Sequence, residues 1–163
     1  MPSQYKSSLY NLDDEAASTA FAQAIAQACA QLGVANKGFM IYLQGDLGVG
    51  KSFFSRAFIQ NFLPEQKVKS PTYTLVESYN HPDFKLHHFD LYRLCDSEEL
   101  EYLAIRDLLM SHFIALVEWP QKGAPLLPRA DLIITFEHQT LGRKATLQAN
   151  SQAAEAVLQA SYA

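Results

Sequence analysis

Apolar positions recur along this chain in two rhythms. Over residues 15–32 they return every three or four places, through Ala17, Phe21, Ile25, Ala28 and Leu32. That spacing predicts an amphipathic helix with Asp13 or Asp14 as its cap. Gly33 and Gly38 bracket a turn, and residues 39–43 form the unbroken apolar run of a buried strand. A second helical rhythm covers residues 51–62, with Phe53, Phe54, Ala57, Phe58 and Phe62 on one face and Pro64 closing it.

Farther along, the rhythm shortens. Residues 70–80 are rich in β-branched and aromatic side chains and read as a loop entering a strand. Residues 85–92 read as a second strand, and His81-Pro82-Asp83 turns the chain between them into an antiparallel pair. His87 and His88 fall on opposite faces of that strand, which predicts one packed and one exposed. Ser97 stands as a cap before a helical segment over 98–110, whose Glu98–Glu101 run reads as a solvated face. Residues 113–119 form an apolar strand that Pro120 stops, and 131–136 and 143–149 are two late strands. Residues 150–163 finish as a helix or tail, and residues 1–11 read as a flexible lead. The sum predicts one α/β domain over 1–163, with a mixed, mostly parallel central sheet flanked by helices.

Composition narrows the class. A length of 163 residues fits one domain, and a hydrophobic share of 48% supplies its core. The net charge of -4 counts against a broad electrostatic grip on nucleic acid. No apolar run approaches the roughly 18 residues that a membrane span needs. Cys29 and Cys95 have no metal-binding spacing and read as reduced thiols of a cytoplasmic protein.

The chemistry concentrates after the first predicted strand. Gly45-Asp46-Leu47-Gly48-Val49-Gly50-Lys51-Ser52 satisfies the P-loop pattern, with a strand before it and a helix after it. The glycines let successive N–H groups turn toward a phosphate. The start of the helix adds its positive dipole end, the Lys51 ammonium reaches outer phosphate oxygens, and the Ser52 hydroxyl suits Mg²⁺. Hydrolysis also needs carboxylates, and Asp90 and Glu118 sit at strand positions after apolar runs. Thr72 is a candidate for a switch hydroxyl, with turn chemistry around Ser70-Pro71 as the plainer reading. Trp119 is either core or a reporter of site closure. Arg93 and Arg143 are candidates for phosphate contact, against a default of exposed arginines. A guanine-specificity signature is absent, which argues against a GTPase. Five scattered arginines weaken a small-molecule kinase without removing it.

The strings GDLGVGKS, VKSPTYTLVESY, HFDLYRL, EELEYLAIRDLL and LVEWP, followed by Gly142-Arg143, stand in the order and spacing of the TsaE family. This resemblance covers about residues 12–147. It implies a P-loop fold with a mixed sheet, ATP and Mg²⁺ as ligands, and slow ATP hydrolysis in the isolated protein. It also implies work beside the TsaB–TsaD heterodimer in tRNA threonylcarbamoyladenosine synthesis, with tRNA met only through that complex and a monomer when isolated. By position it gives Lys51 and Ser52 the P-loop roles, and makes Thr72 a switch-like threonine. Asp90 becomes a Walker-B-like aspartate, Glu118 a metal ligand and Trp119 its neighbour at the site. Glu15 and Arg143 fall at the nucleotide's edge. Gly45, Asp46, Gly48, Val49, Gly50 and Phe53 complete the nucleotide-binding segment, and Ser52, Glu118 and Asp90 the metal set. Ser52 replaces the family's usual threonine and keeps the hydroxyl. Val49 replaces its usual alanine and is expected to add bulk beside the phosphates. Two other readings stand beside this one: a small-molecule kinase, and a nucleotide-gated binding module whose loop over residues 70–74 orders on ATP.

Overall fold

The computed structural model describes residues 7–161 except 103 and 111. Seven strands form one sheet in the order β1-β7-β6-β2-β5-β4-β3. They are β1 (Ser7–Leu12), β2 (Phe39–Gln44), β3 (Val76–Asn80), β4 (Lys85–Asp90), β5 (Phe113–Glu118), β6 (Leu132–His138) and β7 (Arg143–Ala149). The sheet is mixed: the central strands β6, β2, β5 and β4 run parallel, and the outer pairs are antiparallel.

Three helices cover one face: α1 (Glu15–Leu32), α2 (Lys51–Phe62) and α5 (Gln152–Ser161). Asp14 caps α1 by accepting from Ala17 N at 2.8 Å, and Gly33 closes it in left-handed backbone. Phe21 of α1, Phe54 of α2 and Phe136 of β6 meet with ring centroids 5.7 to 6.5 Å apart. Each such ring contributes about 1.5–3 kcal/mol by burial. This cluster seats the start of α2, and with it the glycine loop, against the sheet.

The opposite face carries a second cluster, in which Met40, Phe89, Ala115 and Val117 meet Leu91, Leu94, Leu100 and Ile105. Here the expected helix over 98–110 is two short pieces, α3 (Glu99–Tyr102) and α4 (Ile105–Leu108), separated by Ala104 at φ 51°. Residues five apart on one helix diverge by about 140°. The break is what lets Leu100 and Ile105 enter the same cluster. The acceptor at this turn is Asp96, whose Oδ1 takes Glu98 N at 3.0 Å, where the sequence pointed to Ser97. Glu99, read as part of a solvated face, folds back to accept from Cys95 N and Asp96 N.

Residues 7–11 depart from the expected flexible lead. They belong to β1, paired antiparallel with β7 from Ser7–Gln148 to Leu12–Arg143. Burial alternates along β1, with Ser8 and Tyr10 half-buried and Leu12 buried, but its sequence is largely polar, so pairing with a distant strand makes this one. Both histidines of β4 are buried, correcting the expectation that one is exposed. They do face opposite ways, but a central strand is covered on both sides.

Candidate active site

Strand pleating sets the site. On β4, Leu86, His88 and Asp90 alternate toward the α2 side, and on β5 so do Ile114, Leu116 and Glu118. Register pairs Asp90 with Glu118, so two carboxylates end adjacent parallel strands side by side. β2 ends beside them and runs straight into the glycine loop.

The loop has the backbone its glycines were expected to allow. Gly45, Gly48 and Gly50 all take positive φ, at 139°, 78° and 112°. At Gly45 space also excludes a side chain, since a Cβ would lie 2.5 Å from the Phe136 carbonyl oxygen. Val49 is buried, with its Cγ1 against Gly45. Its bulk therefore fills core under the loop. Asp46 is exposed, and its carbonyl accepts from Val49 N at 3.3 Å.

Lys51 and Ser52 open α2. The Lys51 side chain is folded onto the loop, donating from Nζ to Gly45 O at 2.6 Å. The same ammonium lies 3.7 Å from the centre of the Trp119 ring. Burial pushes the Lys51 pKa below the usual lysine value, against the pull of Glu118, Asp90 and Asp46. Trp119 packs against the second cluster and also floors the lysine. It reaches this place in left-handed backbone, φ 57° and ψ 50°, a conformation that costs a non-glycine residue of order 1–3 kcal/mol.

Ser52 Oγ donates to Glu118 Oε1 at 3.0 Å, and Oε2 lies at 3.3 Å. Glu118 is 2% exposed, and its Oε2 is also held by His88 Nε2 at 2.6 Å. Asp90 is half-buried, with Oδ1 accepting from Tyr92 N at 3.0 Å. Burial raises its pKa above the usual carboxylate value and Glu118 adds to that, while the Tyr92 N–H, His88 and Lys51 oppose it. A hydroxyl and two carboxylates make a hard oxygen set. It fits Mg²⁺, which is bound through one or two carboxylates and completes its shell with water and phosphate. Among the described residues no group of three or more His, Cys, Asp or Glu forms an all-protein cage.

Arg143 reaches the loop from β7. Its Nη2 lies 3.5 Å from Gly48 O, its side chain lies against Gly50, and its buried Nε has no partner. That leaves a donor free beside the loop. A small cavity next to it is lined by Leu12, Ser18, Phe21, Gly50, Phe53 and Arg143, with Phe53 on the first turn of α2. Glu15 is exposed at the start of α1, one turn before Ser18.

Two further candidates make contacts of their own. The Thr72 hydroxyl is engaged by Ser70 Oγ at 2.6 Å, within the turn that the plainer reading predicted. Arg93 stacks on Tyr73, 4.9 Å from its ring centre. His88 was missed as a site residue. The signal was present, because it stands two places before Asp90 and so shares its face. Leu12, Ser18 and Phe21 had no local signature.

Against known proteins, residues 12–146 match the family described as threonylcarbamoyl adenosine biosynthesis protein TsaE. The chain belongs to the TsaE family. Among TsaE relatives, that of Haemophilus influenzae is 43% identical over 124 residues, which cover 76% of this chain and 78% of that one. That of Rickettsia bellii is 41% identical over 90 residues, 55% of this chain and 62% of that protein. Both are named tRNA threonylcarbamoyladenosine biosynthesis protein TsaE. In fold the chain is similar to the crystal structure of Bacillus subtilis YdiB, with TM-score 0.73 and 23% identity over 97% of this chain and 95% of that one. This TsaE-family chain has no helix, among the described residues, long and apolar enough to cross a membrane.

Proposed function

We propose that this protein is a Mg²⁺-dependent ATPase of tRNA threonylcarbamoyladenosine synthesis, acting in the cytoplasm beside the TsaB–TsaD heterodimer. Family membership supports the pathway. The observation that carries the chemistry is the Ser52–Glu118 contact at 3.0 Å, on the first turn after a complete phosphate loop. The loop N–H groups and the start of α2 bind the phosphate tail. Lys51 exchanges the Gly45 carbonyl for phosphate oxygen and meets the charge that develops on transfer. Ser52 and Glu118 would hold the metal, and Asp90 would orient the attacking water or the metal's water shell. When bound, the cation would supply positive charge to neutralise the phosphates. Arg143 supplies its free Nε–H to the nucleotide's edge, and Trp119 keeps Lys51 aimed at the loop. The TsaB–TsaD pair raises a slow basal rate, and tRNA is met only through that complex. The isolated protein is a monomer.

A second reading makes nucleotide the signal and hydrolysis secondary. It is favoured by the loop over residues 71–75. Tyr73 there is 85% exposed, and the loop is tied to the site through Asp90 N donating to Leu75 O at 3.0 Å. One experiment separates the readings. Phosphate release is measured from Mg·ATP with and without TsaB, TsaD and tRNA, alongside complex formation with ATP, ADP or no nucleotide. Magnesium-dependent release that rises with the heterodimer is expected. Complex formation that tracks nucleotide without any turnover favours the second reading. Phosphate transfer to an acceptor other than water would overturn both in favour of a kinase.

A further inference from the structure

His88 faces the phosphate side of the sheet, yet it touches neither the glycine loop nor solvent. It is 2% exposed, and its Nδ1 is buried without a partner. A leucine would fill this space without burying an unpaired nitrogen, so packing alone is a poor account of an imidazole here. The one hydrogen bond of the ring is Nε2 to Glu118 Oε2, at 2.6 Å. Register explains the reach. His88 lies opposite Leu116, and Glu118 is the next residue of β5 on the same face.

Glu118 has three side-chain torsions and, among the described residues, one other side-chain partner, the Ser52 hydroxyl. That hydroxyl is a rotor, and it turns away when it serves a cation. His88 then remains as the group that keeps one carboxylate oxygen occupied and the other, Oε1, directed at Ser52.

We propose that His88 is a positioning residue, donating from Nε2 to Glu118 so that Oε1 is presented to the divalent cation beside Ser52. The proposal rests on reading Ser52 and Glu118 as the cation site. Groups that hold a ligating carboxylate or imidazole from behind typically change metal affinity by about 10–100-fold when lost.

The test compares His88→Gln with His88→Asn. The glutamine amide nitrogen reaches the place of Nε2, whereas the asparagine amide is one methylene short of Glu118. Calorimetry measures ADP binding to each protein in EDTA and in saturating Mg²⁺, and thermal unfolding is followed without ligand. In the wild type magnesium strengthens binding. In His88→Asn that gain is expected to shrink by about 10–100-fold with affinity in EDTA unchanged, and in His88→Gln it returns to within a few-fold of wild type. Equal gains in all three proteins would overturn the proposal. So would equal losses in both variants, or losses equal in EDTA and magnesium, which would leave His88 a purely structural role. A wild type that binds ADP with no magnesium gain would instead remove the cation-site reading beneath it.

Discussion

The two faces of the sheet are built from the same strands to different ends. The face under α2 buries polar groups: Lys51, His88 and Glu118 are each no more than 4% exposed, with His88 bonded to Glu118, Glu118 to Ser52, and Lys51 to the glycine loop. The face under α3 and α4 buries mainly apolar side chains, with Leu91, Leu100, Ala115 and Val117 wholly enclosed. β4 contributes to both through adjacent residues. Stability and chemistry are held on separate faces. One face is a cohesive apolar layer. The other keeps charge in a poor solvent for it, which weakens the resting fold and strengthens every contact with an incoming phosphate.

The sharpest way to break this contrast is Lys51→Ala. It removes the cation that the loop is shaped around, and turnover of Mg·ATP is expected to fall by about 10²–10³ with the fold retained. Phosphate release checks it, and an unchanged rate would remove the mechanism. Leu100→Ala is the mirror experiment on the apolar face. It should cost about 2–5 kcal/mol of stability, read by denaturant unfolding. Turnover per folded molecule should stay near wild type. A variant that kept its stability but lost turnover would mean that the two faces are not separable.

Asp90→Asn gives a smaller effect of opposite sign. Burial and Glu118 raise the Asp90 pKa, so its protonated form fits the fold better than its charged form. The associated stability is present below the unfolded value of about 3.9 and is lost as pH rises through the folded value. At neutral pH the charge is thus a burden, and the neutral amide should raise the unfolding midpoint. Screening at this half-exposed strand end keeps the rise small, on the order of 2–4 °C, roughly what 1 kcal/mol moves a chain of this size. The gain should shrink as pH falls toward 4. A midpoint that falls at pH 7 would contradict the assignment of cost to this face.

How much of this was legible beforehand follows the range of each signal. The glycine loop, its strand and its helix are contiguous in sequence, so pattern alone placed Lys51 and Ser52. Asp90 and Glu118 stood at the ends of apolar runs, and parallel register then set them side by side. The strand β1 was not legible, because its order comes from pairing with β7, more than a hundred residues away. The break at Ala104 was not legible either. Residues 98–110 have helical spacing, and only the shared burial of Leu100 and Ile105 makes a break favourable. For His87 and His88, period-2 alternation gave the facing correctly, while their exposure depended on what lies above each face. Arg143 and Trp119 stood only as open candidates, and the TsaE resemblance drew both to the nucleotide, because no local pattern joins them to the loop.

The finest test uses His87, the neighbour of His88 on the apolar side. Its Nδ1 meets Ser78 Oγ at 2.8 Å, and its ring lies among Phe89 and Phe113. Burial lowers its pKa and Lys85 adds to that, with a backbone contact at Leu108 opposing. A histidine whose folded value is depressed favours the fold in its neutral form. Its contribution is complete above the unfolded value of about 6.5 and is lost as pH falls through the folded value, because the unfolded chain takes up the proton first. His87→Asn keeps a polar partner for Ser78 and cannot titrate. The difference in unfolding midpoint between wild type and His87→Asn should therefore narrow from pH 7.5 to 5.5, by less than the change expected for Asp90→Asn. ADP binding with Mg²⁺ should be the same in both proteins throughout, since His87 points away from the loop. A difference that stays constant with pH would show that His87 is not held neutral by its apolar surroundings. A change in ADP affinity would show that the two faces of β4 communicate, and the division between a structural and a chemical face would then end at this strand.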